Sequence, residues 1–373
     1  MAFPAFATPC PAQLLRPRAL QRAALGVRPA AGRLPTGSGR RRPGAPPPPA
    51  PFHPFSYRPC MKAASPSPIT ILPTDGAATE EAATAFAASL DGEWNGFQAK
   101  VDPTTGAALK IPAVEVPDDF AEWNVHPVGY ATTTSIKLRK ESLYVKEFQL
   151  YPTITLDEII SCDEKLTIHD TAADGFALFP SGAYAAGDAA VPTVYKSILD
   201  YHPRAEMCLV DTGAVPAAGE VDLPRERMAV RVSWEWATGA IVSPLVVTHE
   251  DWYVRWCDGS MMEGASGFIS GWPAEPPVDA ADLAGSWVPD GGGDAETVDT
   301  GGLVLLPLGM SVRVDKGADG GVVVEVGWLR SDAAGVRLGY EPGSGDRRLL
   351  LRRAYGPDGT LLSTTHSMLR RQV

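Results

Sequence analysis

Leu90-Asp91-Gly92-Glu93-Trp94 decides the fold of this chain, because the same Leu-X-Gly-X-Trp pattern returns 193 positions later as Leu283-Ala284-Gly285-Ser286-Trp287. Each copy stands at the head of a long run of short, strand-like segments that are separated by Gly, Pro and Asp turns. Evenly spaced strands of this kind are typical of β-sandwiches and β-barrels. The repeat therefore predicts one all-β architecture used twice, as two antiparallel β-barrels of which the second is smaller.

The clearest strand covers residues 228–236, where apolar and polar residues alternate. One face would carry Met228, Val230, Val232, Trp234 and Trp236. The opposite face would carry Arg231 and Glu235, which either meet solvent or point into a barrel as buried polar groups. Short helices are expected only at 75–90 and 117–124, where acidic residues lie in the first turn.

Composition divides the chain into segments. Pro273, Pro276 and Pro277 make residues 273–282 a linker between a first barrel at 90–272 and a second at 283–373. Residues 62–89 form a linker with a short helix, and residues 1–61 form an N-terminal tail that we expect to be disordered.

The N-terminal tail has the composition of a targeting sequence. Residues 1–74 contain ten Arg and Lys but no Asp or Glu, and they lack the apolar stretch of a secretory signal. We interpret residues 1–61 as a transit peptide, and their proline content favours the plastid stroma over the mitochondrion. The alternative is a disordered basic arm that binds nucleic acid.

Net charge and hydropathy limit the partners of the remaining chain. The whole sequence carries a net charge of −11, so the part after the basic tail carries −21. Such an acidic surface repels phosphate backbones and anionic membranes, which argues against nucleic acid as a partner. No apolar stretch reaches the roughly 18–20 residues that span a bilayer, so no transmembrane segment is predicted.

The Gly-X-Trp motif on a first strand, with an arginine near the last strand, resembles the lipocalin/calycin superfamily. In those barrels the tryptophan closes one end and an arginine packs across its indole ring. The resemblance implies that Trp94 and Trp287 are the two barrel plugs. It also implies Arg255 as the partner in the first block, and either Arg353 or Arg370 in the second.

Further segments are similar to an uncharacterised calycin-like family of plastids and cyanobacteria that is related to the S-type phycobiliprotein chromophore lyases. In the second block these segments are 303–308, 325–329 and 359–366, and in the first block they are 252–255 with the turn at 258–259. The resemblance implies a barrel that encloses a ligand. The polar pocket residues of the lyases have no position-by-position match here.

No catalytic or metal-binding motif is found in the sequence. Ser266 lacks the Gly-X-Ser-X-Gly spacing of a nucleophilic serine, and the cysteines lack the spacing of a zinc site. His249, Glu250 and Asp251 are neighbours on a strand, so their side chains alternate between faces and the three cannot converge on one ion. We therefore predict neither catalytic residues nor a metal.

The density of aromatic residues in one segment indicates a ligand-binding site and not a catalytic one. Trp234, Trp236, Trp252, Tyr253 and Trp256 fall within 23 residues, which fits either a stacking cavity for a planar molecule or an ordinary barrel core. A buried charge could orient such a ligand. The candidate ligand-binding residues are Arg231, Trp234, Trp236, Trp256, Glu325 and Trp328.

These patterns favour a plastid-targeted, lipocalin-like protein that binds a small apolar or amphipathic molecule, a tetrapyrrole such as a bilin or a lipid, without catalysis. No other cofactor is predicted. One alternative is an enzyme similar to the chromophore lyases, which would attach a bilin to an acceptor protein or isomerise it. Another is a structural or assembly factor whose barrels are filled by their own side chains.

Overall fold

Strands make up most of the chain. The computed structural model describes residues 80–116, 118–122, 124, 126–151, 160–192, 201–212, 225–257, 276–290, 292–330 and 347–372. Within these ranges the helices are short: α1 (Glu80–Leu90), α2 (Asp118–Glu122), α3 (Ala280–Leu283) and a 3-10 turn (Ala113–Glu115). The predicted transit peptide, residues 1–61, lies outside the described residues.

The first sheet has nine described strands, all antiparallel to their neighbours. Its strands are β1 (Gly92–Val101), β2 (Tyr130–Arg139), β3 (Ser142–Tyr151), β4 (Ile160–Asp170), β5 (Phe176–Leu178), β6 (Tyr184–Gly187), β7 (Arg204–Asp211), β8 (Glu226–Ser233) and β9 (Leu245–Val254). Strands that follow one another along the chain pair with each other, and β1 pairs with β9. Only the seam between β4 and β5 is open, so the sheet is a nearly closed up-and-down barrel.

The second sheet has seven described strands and repeats this plan. Its strands are β10 (Ser286–Pro289), β11 (Glu296–Thr297), β12 (Val304–Leu305), β13 (Met310–Lys316), β14 (Val322–Arg330), β15 (Arg347–Tyr355) and β16 (Leu361–Arg371). The first strand, β10, again pairs with the last, β16, and the open seam lies between β11 and β12. The short β10, β11 and β12 leave a half-barrel. The prediction of an all-β chain with two barrel-like sheets, the second reduced, is confirmed.

The repeated Leu-X-Gly-X-Trp motif has the same local structure in both sheets. A helix ends at the leucine, and the indole Nε1 donates to that leucine's carbonyl oxygen, Trp94 to Leu90 and Trp287 to Leu283, each over 3.0 Å. Gly92 is required by packing, since a Cβ there would lie 2.2 Å from the indole nitrogen of Trp252. Gly285 is required by its backbone, whose φ of +126° disfavours other residues. The motif therefore joins a helix end to the first strand of each sheet.

The largest core lies between the two sheets. Met228, Val230 and Val232 on β8 face it from the barrel, and Val324 and Val326 on β14 face it from the half-barrel. Arg227 and Arg231 of β8 point to the barrel interior, which settles an orientation that the sequence pattern left open. Smaller clusters around Trp94 and around Trp287 fill the closed ends of the two sheets.

The two blocks supply one sheet each, yet residues 63–373 form one compact unit. A division into separately folding domains at residues 273–282 therefore stays a prediction. No helix among the described residues is long and apolar enough to cross a bilayer.

Candidate functional site

The closed end of the barrel is built on Trp94. The indole is fully buried, and the guanidinium of Arg227, on β8, lies over it with Cζ 5.6 Å from the ring centroid. Arg227 is neutralised by Glu250, which also accepts a hydrogen bond of 2.5 Å from Thr134. This corrects the pairing with Arg255, which is an exposed residue beyond the end of β9. Sequence spacing did not point to Arg227. Its strand, β8, does not pair with β1, which carries Trp94, and β9 lies between the two in the sheet.

A polar layer of side chains crosses the barrel interior above this end. Arg231 donates from Nε to Glu206 over 3.0 Å and from Nη2 to Glu147 over 3.1 Å. Glu206 also accepts a 2.7 Å hydrogen bond from the Tyr184 hydroxyl. Four strands, β3, β6, β7 and β8, thus contribute to one cluster around a single guanidinium.

Amide side chains extend the polar layer towards β1 and β9. Gln98 donates from Nε2 to Glu147 over 3.3 Å and to the Thr248 hydroxyl over 2.9 Å. The Gln98 carbonyl oxygen in turn accepts a 2.6 Å hydrogen bond from Gln149. The layer therefore contains both hydrogen-bond donors and acceptors, which is the composition of a polar binding surface.

The charges of the polar layer are held in defined states. Burial alone would raise the pKa of Glu206, but Arg231, His169 and the Tyr184 hydroxyl lower that pKa to about 2. Burial lowers the pKa of His169, and its Nε2, 3.9 Å from Glu206, has no hydrogen-bond partner. Glu206 is therefore held as a carboxylate beside Arg231, and the lowered pKa of His169 favours a neutral imidazole next to it.

Solvent reaches the polar layer. Arg231 points into the barrel, yet 32% of its side chain is exposed, whereas 4% of the Glu147 side chain is. The cluster thus combines a buried carboxylate with an arginine whose side chain is partly exposed. Arg231 is the one predicted ligand-binding residue that the structure brings into the barrel interior.

The predicted aromatic residues lie elsewhere. Trp234 and Trp328 are fully buried in the core between the sheets, and Trp236 packs at the border of that core against Tyr355. Trp256 follows β9, where the cations of Lys137 and Arg139 lie over its ring. Of the two alternatives, a stacking cavity and an ordinary core, the structure fits the core for Trp234, Trp236 and Trp328, because β8 turns its apolar side outward to the second sheet.

The second sheet holds the remaining predicted residues. Arg371 lies over the Trp287 indole at 4.9 Å, next in sequence to the predicted Arg370. Arg353 was also predicted there, but it faces the opposite side of the sheet, where it contacts Tyr355 and donates to the Gly175 carbonyl oxygen. Glu325 is buried on the concave face among arginines.

Three potential metal ligands lie close together on one face of the first sheet. They are His249 and Asp251 of β9 and Glu226 of β8, while Glu250 points into the barrel. Their potential ligand atoms lie within 4.8 Å of one another. Arg330 from the second sheet, however, donates to both oxygens of Glu226 over 2.7 and 2.9 Å. The group is therefore an ion-paired contact between the sheets.

Two cavities bounded by described residues lie outside the barrel. One of about 250 Å³ is bounded by residues 103–104, residues 239–241 and the second sheet, and one of about 10 Å³ lies beside Lys110 and Tyr130. The second is no larger than a water molecule. Neither contacts the polar layer.

Sequence reasoning did not identify most of the polar layer. The missed residues are Gln98, Glu147, Gln149, His169, Tyr184, Glu206 and Thr248. One available signal was the pair Glu147 and Gln149, two polar residues at alternate positions of a strand whose other residues are largely apolar or aromatic. Their convergence with Arg231 depends on barrel closure, which a single sequence does not reveal.

Comparison with protein-family models and with curated proteins found no match. Among solved structures, the chain is similar to a protein of unknown function from the DUF3598 family of Nostoc punctiforme. The two are 14% identical, the match covers 77% of this chain and 98% of the other, and the TM-score is 0.43.

Proposed function

We propose that the nine-stranded barrel binds a small amphipathic molecule without catalysis, with the polar part of the ligand at the layer formed by Arg231, Glu147 and Glu206. The observation that carries this proposal is the inward-facing, partly exposed side chain of Arg231 in a nearly closed sheet. An inward charge that solvent reaches can exchange water for a ligand at little structural cost, whereas a sealed ion pair cannot.

The chemistry of the layer favours one of the two predicted ligand classes. A tetrapyrrole such as a bilin carries N–H donors and carboxylates, which complement the carboxylates and the guanidinium respectively. A fatty acid carries a carboxylate for Arg231 but no N–H donor for the oxygens of Glu147 and Glu206. We therefore propose a tetrapyrrole-derived ligand ahead of a lipid.

A second candidate is a structural or assembly role with filled barrels. It is favoured by the packing of Gln98, Gln149 and Thr248 against one another across the interior, and by the position of both described cavities outside the barrel. In that case the polar network would specify the barrel closure and bind nothing.

Glu206→Gln tests the binding proposal, because it removes the charge that pairs with Arg231 but keeps an oxygen for the Tyr184 hydroxyl. The full chain is titrated with biliverdin, protoporphyrin and a fatty acid, and binding is measured by ligand absorbance or calorimetry. We expect saturable tetrapyrrole binding that Glu206→Gln weakens about tenfold, as for loss of a charged hydrogen-bond partner.

Glu235→Gln is the matched control, since Glu235 is exposed just beyond β8 and should leave the affinity unchanged. Circular dichroism must show that both variants are folded. Absence of saturable binding by any of the three ligands would favour the structural role.

We also propose that the protein acts in the plastid stroma, on the basis of the acid-free, arginine-rich segment before Asp75. A fluorescent protein fused behind residues 1–74 should enter plastids. The same fusion with the ten basic residues changed to glutamine should stay outside them.

A further inference from the structure

The concave face of the half-barrel concentrates arginines around one carboxylate. Glu325 on β14 accepts hydrogen bonds from Arg348 Nη2 over 2.9 Å, Arg352 Nε over 2.8 Å and Arg313 Nη2 over 3.2 Å. The strand register explains the convergence, because Glu325 lies directly opposite Arg313 on β13 and Arg352 on β15. The strands on either side of β14, which are β13 and β15, thus bring three cations to one carboxylate.

Positive charge exceeds negative charge in this cluster. Arg352 has a second carboxylate partner, Glu296, so two carboxylates serve three guanidiniums. Arg348 is the most deeply buried of the three, with 1% of its side chain exposed, and Glu325 is its ion-pair partner. Burial lowers the pKa of Arg348 in spite of Glu325. A buried cation with incomplete compensation is stabilised by any anion that reaches it.

The cluster also has hydrogen-bond donors without partners. Arg348 Nε, Arg313 Nε and the hydroxyl of Ser311 are buried and make no hydrogen bond. Ser311 is 1% exposed, and it lies opposite Gly327 on the same face. A Cβ at residue 327 would lie 2.8 Å from Ser311 Oγ and 3.0 Å from Arg348 Nε, so both donors border one point of the sheet. Unsatisfied buried donors are rare in native proteins and call for an acceptor.

Solvent reaches the arginine cluster at Arg313 and Arg352. The side chains of Arg313 and Arg352 are 22% and 30% exposed, whereas Glu325 and Arg348 below them are almost completely buried. Two partly exposed cations beside a buried cation make this part of the concave face attractive to anions.

We propose that the concave face of the half-barrel binds an oxyanion, a carboxylate or phosphate group of a ligand, through Ser311, Arg313, Arg348 and Arg352. Glu325 then acts as the internal counterion that holds the guanidiniums in place, and not as the ligand anchor that the sequence suggested. This site lies on a different sheet from the polar layer of the barrel and does not depend on the function proposed for that layer.

Calorimetric titration of the full chain with inorganic phosphate and, separately, with acetate tests this site. We expect saturable binding of at least one probe; phosphate alone would indicate a phosphate ligand, and both would indicate a general oxyanion site. Arg313→Gln and Ser311→Ala should each weaken binding about tenfold, because each removes one donor to a charged acceptor. These two variants are preferred to Arg348→Met, which could unfold the sheet.

Arg370→Gln is the control, since it also removes one positive charge from the second sheet but has a side chain that is 52% exposed and paired with Asp290. It should bind the probes like the unchanged protein, as should Glu206→Gln in the barrel. Absence of saturable binding by either probe, or equal weakening by Arg370→Gln and Arg313→Gln, would overturn the proposal.

Discussion

At the scale of single residues, the two motif tryptophans have the largest structural effect. Trp94 and Trp287 are fully buried, donate to a helix-terminal carbonyl and lie under a guanidinium. Each therefore combines a large apolar contact, a hydrogen bond and a cation–π contact in one side chain. Their equivalence explains why the same five-residue pattern begins both sheets.

Trp94→Phe and Trp287→Phe should each lower the free energy of unfolding by about 2–3 kcal/mol, because each leaves a cavity and an unpaired carbonyl oxygen. Urea denaturation monitored by circular dichroism measures the loss. Trp256→Phe is the control, because that ring is partly exposed after β9 and its loss should cost less than about 1 kcal/mol. Equal losses in all three variants would contradict the plug role.

At the scale of elements, strand β8 at the contact between the sheets has one face in the core between the sheets and the other face inside the barrel. Along β8, Met228 and Val230 enter the core between the sheets, and Arg227 and Arg231 enter the barrel. On β16, His366 points into the same core, with its ring centroid 5.4 Å from that of Phe179, and its Nε2 has no hydrogen-bond partner. The surrounding core favours the neutral form of this imidazole.

Burial lowers the pKa of His366 to about 4, from 6.5 in the unfolded chain. The folded state therefore binds fewer protons than the unfolded state between these values, and stability falls as the pH is lowered from 6.5 to 4. We expect His366 to contribute up to about 2–3 kcal/mol to that fall. Glu206 contributes at lower pH. Because its pKa is lowered in the folded state, the stability that it provides is lost as the pH falls from 4.5 to about 2.

Urea denaturation of His366→Gln across pH 7 to 4 should show a shallower decline than the unchanged protein. His126→Gln, at an exposed position, should follow the unchanged protein. An identical decline in His366→Gln and the unchanged protein would show that this imidazole is not desolvated.

At the scale of the whole molecule, charge pairs as well as apolar packing join the two sheets. Arg330, at the end of β14, donates to Asp211 over 2.8 Å and to both oxygens of Glu226 on the barrel. Burial alone would raise the pKa of Glu226, but His249 and Arg330 lower it to about 2. The two sheets therefore share one core and one ion cluster, which should make their unfolding cooperative.

Arg330→Met should destabilise the protein by about 3 kcal/mol, because it leaves two largely buried carboxylates without their shared cation. Denaturant unfolding of the unchanged protein should be a single transition, from which the cost of the substitution is measured. Arg370→Met removes an exposed pair with Asp290 and should cost less than about 1 kcal/mol. Equal costs in the two variants would show that the cluster does not hold the sheets together.

The sequence by itself determined the all-β class, the doubled plan and the reduced second sheet. These follow from local signals: a repeated five-residue motif, turn residues and a period of two in the strands. The alternation in β8 also placed Val230 and Arg231 on opposite faces, which the structure confirms.

Only the tertiary structure decided which of those faces lies inside the barrel. A period of two separates the faces of a strand but does not say what covers each one. Trp234 and Trp328 both lie in the core between the sheets because the half-barrel covers the outside of the barrel there. Glu147 and Arg231, 84 residues apart, meet because β1 pairs with β9 and closes the sheet. Contacts of this kind arise from closure and sheet packing, which no local pattern encodes.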